Sequence, residues 1–171
     1  MNRLTFVFNT TECNGWPKIR MLIDDDLYED HHFVENNEQV NVPIELLDGN
    51  HSLTIEIYGK TSNNTIIDNV GHIVKDQLIE LIDIYADNIK LPDLFKYIGV
   101  YKFNDQEYPQ ATTWGCNGLW IWNFATPLLT WALDKQIANR ESYNPPIILF
   151  KDRIVIEQEK IQRLQTQLNN I

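Results

Sequence analysis

The feature that most constrains this chain is a period of two. Leu4, Phe6 and Phe8 interleave with Thr5 and Val7, and Ile19, Met21 and Ile23 with Arg20 and Leu22. Val40, Val42, Ile44 and Leu46 interleave with Asn41, Pro43 and Glu45, and Leu53, Ile55 and Ile57 with Thr54, Glu56 and Tyr58. Successive side chains of a strand point to opposite faces, so each run reads as a strand with one face toward a core. Gln77 to Ile84 reads as a further strand, continued past a bend by Tyr85 to Leu91. The stretch from Phe95 to Phe103 and then Leu119 to Phe124 follow as strands. The pattern predicts roughly eight to ten strands with turns between them, an all-β sandwich or barrel.

The breaks carry turn chemistry. Asn14-Gly15 separates the first two runs, and Asn117-Gly118 precedes Leu119. Asp48-Gly49-Asn50 is the strongest hairpin signal, because Asp-Gly supplies the positive φ of a tight turn. It predicts that Val40–Leu47 pairs with His51–Tyr58. Pro43 lacks an amide hydrogen, which places its strand at an edge or at a bulge.

The β pattern stops near Trp131. Asp134 to Ser142 reads as one or two helical turns, and Asn144-Pro145-Pro146 as a stiff linker. From Asp152 the period changes. Ile154, Ile161, Leu164, Leu168 and Ile171 are spaced seven, three, four and three apart, and the last four follow a coiled-coil seam. A helix this short is marginal alone in water. Its stripe requires cover, from its own domain or from a partner. The chain is thus read as a β-sandwich over 1–133, a linker over 134–149 and an assembly helix over 150–171.

Charge narrows the function. Twenty-four acidic residues against fourteen Lys and Arg give a net charge of −10. That balance argues against sequence-independent binding to nucleic-acid phosphates and against attraction to anionic membranes. The most apolar stretch, Leu119 to Leu133, contains Asn123 and Pro127 and is too short to span a bilayer. The two cysteines, Cys13 and Cys116, are expected as reduced thiols. The first residues lack the apolar core of a signal peptide, so synthesis in a cytoplasm is expected.

Four sets of residues are candidate sites. Asp24, Asp25 and Asp26 follow a strand, and three carboxylates could ligate Ca²⁺, a hard cation that takes oxygen ligands. Their spacing does not match a helix–loop–helix calcium site, and a solvated acidic turn is the competing reading. The four histidines lie apart, with no zinc spacing. Among the aromatics, Trp120, Trp122 and Phe124 share one face of a strand and read as core. Trp16, Tyr108 and Trp114 lie in loop-like stretches and are the candidates for stacking on a sugar ring. No nucleophile elbow, phosphate loop or dinucleotide fingerprint occurs, and nothing selects a carboxylate pair, so no enzyme is expected. No cofactor is expected beyond Ca²⁺.

Several stretches carry a resemblance. Asp48-Gly49-Asn50-His51 running into Ile55-Glu56-Ile57-Tyr58-Gly59-Lys60-Thr61, and the Trp120…Phe124…Pro127…Trp131 block, resemble small virion-associated proteins of tailed bacteriophages. The likeness spans Lys18 to Leu133. It implies a jelly-roll-type β-sandwich similar to carbohydrate-binding modules, some of which are Ca²⁺-dependent. It implies a virion location, assembly with other virion proteins and with itself through the C-terminal helix, and host glycans as a further ligand. No functional residue transfers. Removing residues 147–171 is expected to abolish oligomerisation or incorporation while the sandwich stays folded, as sedimentation beside circular dichroism would show; a truncated chain that still assembles refutes the assembly role of the helix.

Overall fold

The computed structural model describes residues 2–143. The proline linker and the seam of Ile154, Ile161, Leu164, Leu168 and Ile171 lie outside the described residues. The chain divides into two units after Ala132, and the sandwich is the first.

The strands are β1 (Asn2–Thr11), β2 (Lys18–Ile23), β3 (Asp26–His32), β4 (Glu38–Ile44), β5 (Gly49–Tyr58), β6 (Thr65–Ile67) and β7 (Ile73–Asp76). They continue as β8 (Leu78–Ala86), β9 (Ile89–Lys90), β10 (Val100–Phe103), β11 (Gln106–Pro109), β12 (Thr113–Trp114) and β13 (Gly118–Thr126). One sheet runs β12-β8-β1-β4, with β9 beside β8. The other runs β11-β10-β13-β5-β2-β3. Strands β6 and β7 form a separate two-stranded ribbon. The described fold is an all-β, jelly-roll-type sandwich followed by a helix, α2 (Leu128–Tyr143); α1 is the short turn Leu94–Tyr97.

The alternation does what the sequence demands. Leu4, Phe6 and Phe8 of β1 face inward with Val40, Val42 and Ile44 of β4, against Ile19, Met21 and Ile23 of β2 and Leu53, Ile55 and Ile57 of β5, all buried. Pro43 sits on β4, an edge strand, where its missing donor costs no ladder bond.

Three expectations differ from the structure. Asp48-Gly49 does not close a hairpin: β4 belongs to the first sheet and β5 to the second, so this turn carries the chain across the sandwich. The tight hairpins use Asp and Asn instead. Asp24 and Asp25 join β2 to β3, Asp87 and Asn88 join β8 to β9, and Asn104 and Asp105 join β10 to β11, each residue at positive φ. This is the pattern of type I′ turns, which Asp and Asn tolerate because their short side chains satisfy the local backbone. The stretch read as a strand from Phe95 is interrupted because Pro92 and Asp93 start α1, their carbonyls accepting from the amides of Phe95 and Lys96. The helical segment after the sandwich is also longer than one or two turns, beginning at Leu128.

Aromatic rings fill the space between the sheets. Trp120 stacks on Trp122 (6.4 Å between centroids) and Trp122 on Phe124 (5.2 Å). Trp131 closes edge-on against Trp122 and packs on Phe95. Aromatic pairs at these separations contribute about 0.5–1.5 kcal/mol each beyond their burial. Gly99 seats the Trp120 indole: a Cβ there would lie 2.2 Å from Trp120 Cε2. Replacing Gly99 by Ala should therefore destabilise the sandwich by about 1–3 kcal/mol, the usual range for overpacking; a urea unfolding midpoint unchanged from wild type would show that the indole is not held there.

Candidate functional site

A cleft of about 820 Å³ lies where the β1–β2 loop meets the segment after β5. Its walls come from Asn14, Gly15 and Trp16 on one side and Thr61, Ser62 and Asn63 on the other. Lys18, Ile66 and Gln77 line it as well. Asn14 and Gly15 both adopt positive φ, which turns the chain sharply enough to bring Trp16 to the rim.

Buried Asn64 holds the two walls together. Its Nδ2 donates to the carbonyls of Cys13 (2.9 Å) and Asn14 (3.2 Å), while its Oδ1 accepts from the Thr61 amide (2.9 Å) and hydroxyl (3.0 Å). Asn14 Nδ2 donates to the Asn63 carbonyl, and Gln77 Nε2 to the Gly15 carbonyl. Lys60 anchors the segment from beneath, donating to Asp76 (2.6 Å) and to the carbonyls of Gln77 and Gly115. Asp76 also accepts from the Thr65 hydroxyl. Leaving either member of such a largely desolvated pair alone costs far more than the pair itself contributes.

The chemistry on offer is specific. Trp16 is partly buried and packs on the core from the cleft rim. Ser62 and Asn63 are exposed. Hydroxyl and amide side chains both donate and accept. The carboxylates closest in the network are committed elsewhere: Asp76 to Lys60, and Glu12 to Lys75 and the Gly15 amide. Lys75, through its hydrogen bond, holds the Glu12 carboxyl below the usual carboxylate range.

The structure separates the three aromatic candidates. Trp16 is at the cleft. Tyr108 is 40% exposed on β11, its hydroxyl donating to Gln106. Trp114 is only 1% exposed and does not face solvent. Its short strand β12 pairs with β8, which turns the indole inward between Tyr101 (6.1 Å) and Trp120 (5.7 Å). Burial pushes the Tyr101 phenol up to about 12.

The acidic run is a turn and an edge, not an assembled cation site. Among the described residues no group of three or more His, Cys, Asp or Glu side chains is placed to hold a metal ion. Asp24 accepts instead from His51 Nδ1 (2.6 Å) and the Ser52 amide (2.9 Å). Asp25 and Asp26 complete the reversal into β3. Cys13 and Cys116 are free thiols. No described helix is long and apolar enough to cross a membrane.

Of the cleft residues, only Trp16 stands out in the sequence. The polar run Thr61-Ser62-Asn63-Asn64-Thr65 carries a signal, five short hydroxyl and amide side chains directly after a strand, but its meaning depends on a contact with the loop about fifty residues earlier.

No family model matches the chain, and no curated protein matches it. Among solved structures it is similar to the selenomethionine form of vCBM60, from work on two families of calcium-dependent carbohydrate-binding modules. Identity is 10% over 71% of this chain and 90% of that one, with a TM-score of 0.49. It is also similar to vCBM60 in complex with galactobiose, at 11% identity over 71% and 98% of the two chains, TM-score 0.47.

The His51–Asp24 pair gives a pH signature. His51 presents Nδ1 to the Asp24 carboxylate (2.6 Å), and its Nε2 lies within hydrogen-bond distance of the Leu47 carbonyl (2.9 Å) and the Thr126 hydroxyl (3.2 Å). The Asp24 hydrogen bond raises His51 above its ordinary 6.5, and His51 lowers Asp24 below its ordinary 3.8. The raised histidine stabilises the fold fully below pH 6.5 and loses that effect as pH climbs through its folded value. The lowered aspartate stabilises above pH 3.8 and loses its effect as pH falls through its own. The gap in melting temperature between wild type and His51→Gln should be wide at pH 5.5 and narrow at pH 8.5; a gap independent of pH refutes the charged pair.

Proposed function

We propose that the sandwich is a non-catalytic glycan-binding module and that the Trp16 cleft is its saccharide site. The position of Trp16 carries this reading. A flat indole at the rim of an open cleft, facing neutral hydroxyl and amide side chains, complements a sugar ring, whose C–H face is apolar and whose hydroxyls both donate and accept. The cleft's volume falls in the range usual for small-ligand sites. The lining supplies no pair of carboxylates for general acid and base work, which favours recognition over cleavage. The walls are tied by hydrogen bonds through Asn64 before any ligand arrives, so little ordering is left for binding to accomplish.

The resemblance of the residues from Lys18 to Leu133 to tailed-phage virion proteins favours a wider setting for the same module. In that setting the seam of Ile161, Leu164, Leu168 and Ile171 attaches it to another virion protein or to further copies of itself, and the sandwich meets glycans of the host surface.

A glycan array read with wild type and Trp16→Ala tests the site. Loss of the indole should weaken binding about tenfold or more, as removal of roughly 1.4 kcal/mol of stacking does, with the circular dichroism spectrum unchanged. A blank array, or equal binding by the two proteins, rejects the proposal.

A further inference from the structure

We infer that the cleft selects an anionic saccharide, a sugar bearing a carboxylate or a sulfate ester, and that Lys18 reads the charge. This rests on the glycan reading of the same cleft. Lys18 lines the cleft together with Trp16, is exposed, and passes its stem close to Gly59. It has no carboxylate within ion-pair distance among the described residues. Lys60, Lys75, Lys90, Lys96 and Lys102 each do.

The surroundings decide the local sign. No Asp or Glu lines the cleft. The nearby carboxylates Asp76 and Glu12 are neutralised by Lys60 and Lys75. The cross-strand neighbours of Lys18 are Tyr58 on β5 and His32 on β3, and the carboxylate both of them contact, Asp30, is paired with Arg20. The remaining negative charge acts weakly, because screening limits its reach to about 8 Å at physiological ionic strength. One positive charge without an ion-pair partner among the described residues therefore lines the same cleft as Trp16. An ammonium is a point charge that accepts carboxylate or sulfate alike.

The test is an array of matched pairs: uronate and sialylated oligosaccharides beside their carboxyl-reduced forms, and sulfated ones beside their desulfated forms. Wild type should favour at least one anionic member over its neutral partner, on the order of 3- to 10-fold. Which series responds identifies carboxylate or sulfate. Lys18→Gln should bring that ratio to about one, and Lys18→Arg should restore it. Binding that Trp16→Ala abolishes but that shows no anionic preference, or a preference that Lys18→Gln leaves intact, overturns the charge reading while upholding the cleft. Binding indifferent to Trp16, or none at all, overturns both.

Discussion

The stack of rings between the two sheets is the interaction on which the rest of the structure depends. Trp120, Trp122 and Phe124 stand in one row on β13, and that row sets the distance at which the opposite sheet can close. Phe6 and Phe8 meet it from β1, through Trp122 and Trp114. Phe33 extends it to the segment after β3, and Trp131 to the start of α2. Interiors pack at crystal-like density, so a row of large flat side chains leaves little freedom elsewhere. Gly99 must be bare, and Trp114 must be inside. The Trp120 indole nitrogen is the one buried side-chain polar atom among the described residues without a hydrogen bond, a sign that ring packing takes precedence there over polar satisfaction.

The cleft depends on that core indirectly. Rigid strands fix where β1, β2 and β5 end, and the loops between them are then joined by side chains rather than by a sheet. Asn64 and Lys60 make those joints, each reaching carbonyls that would otherwise have no partner. The result is a polar surface on irregular backbone, held by buried amides and an ion pair. Such a surface can present donors in fixed directions without moving when a ligand binds.

The sequence shows the core more clearly than the site, for a physical reason. Strand alternation is a local signal, and Leu4 to Phe8 or Leu53 to Ile57 declare their faces without knowledge of their neighbours. Which strands pair is not local. The Asp48-Gly49 turn has the chemistry of a hairpin and serves as a crossover, because β5 finds better partners in β2 and β13 than in β4. Trp114 looks like a loop residue because its strand is two residues long, too short for any period to show. Trp16 was legible as a loop aromatic beside Asn14-Gly15. Its partners across the cleft were not, since nothing in the residues 59–66 names the β1–β2 loop as their neighbour.

The edges of the two sheets have a consequence of their own. An exposed edge strand offers unpaired backbone groups to any similar strand that drifts past. Here β4 carries Pro43, β12 spans two residues, β11 ends in Pro109, and β3 bears Asp26, Glu29 and Asp30. Each edge is interrupted, shortened or charged. The acidic run, whose carboxylates the sequence offers either as a solvated turn or as cation ligands, continues into this charged edge of the second sheet. Such edges disfavour strand-to-strand pairing between separate molecules.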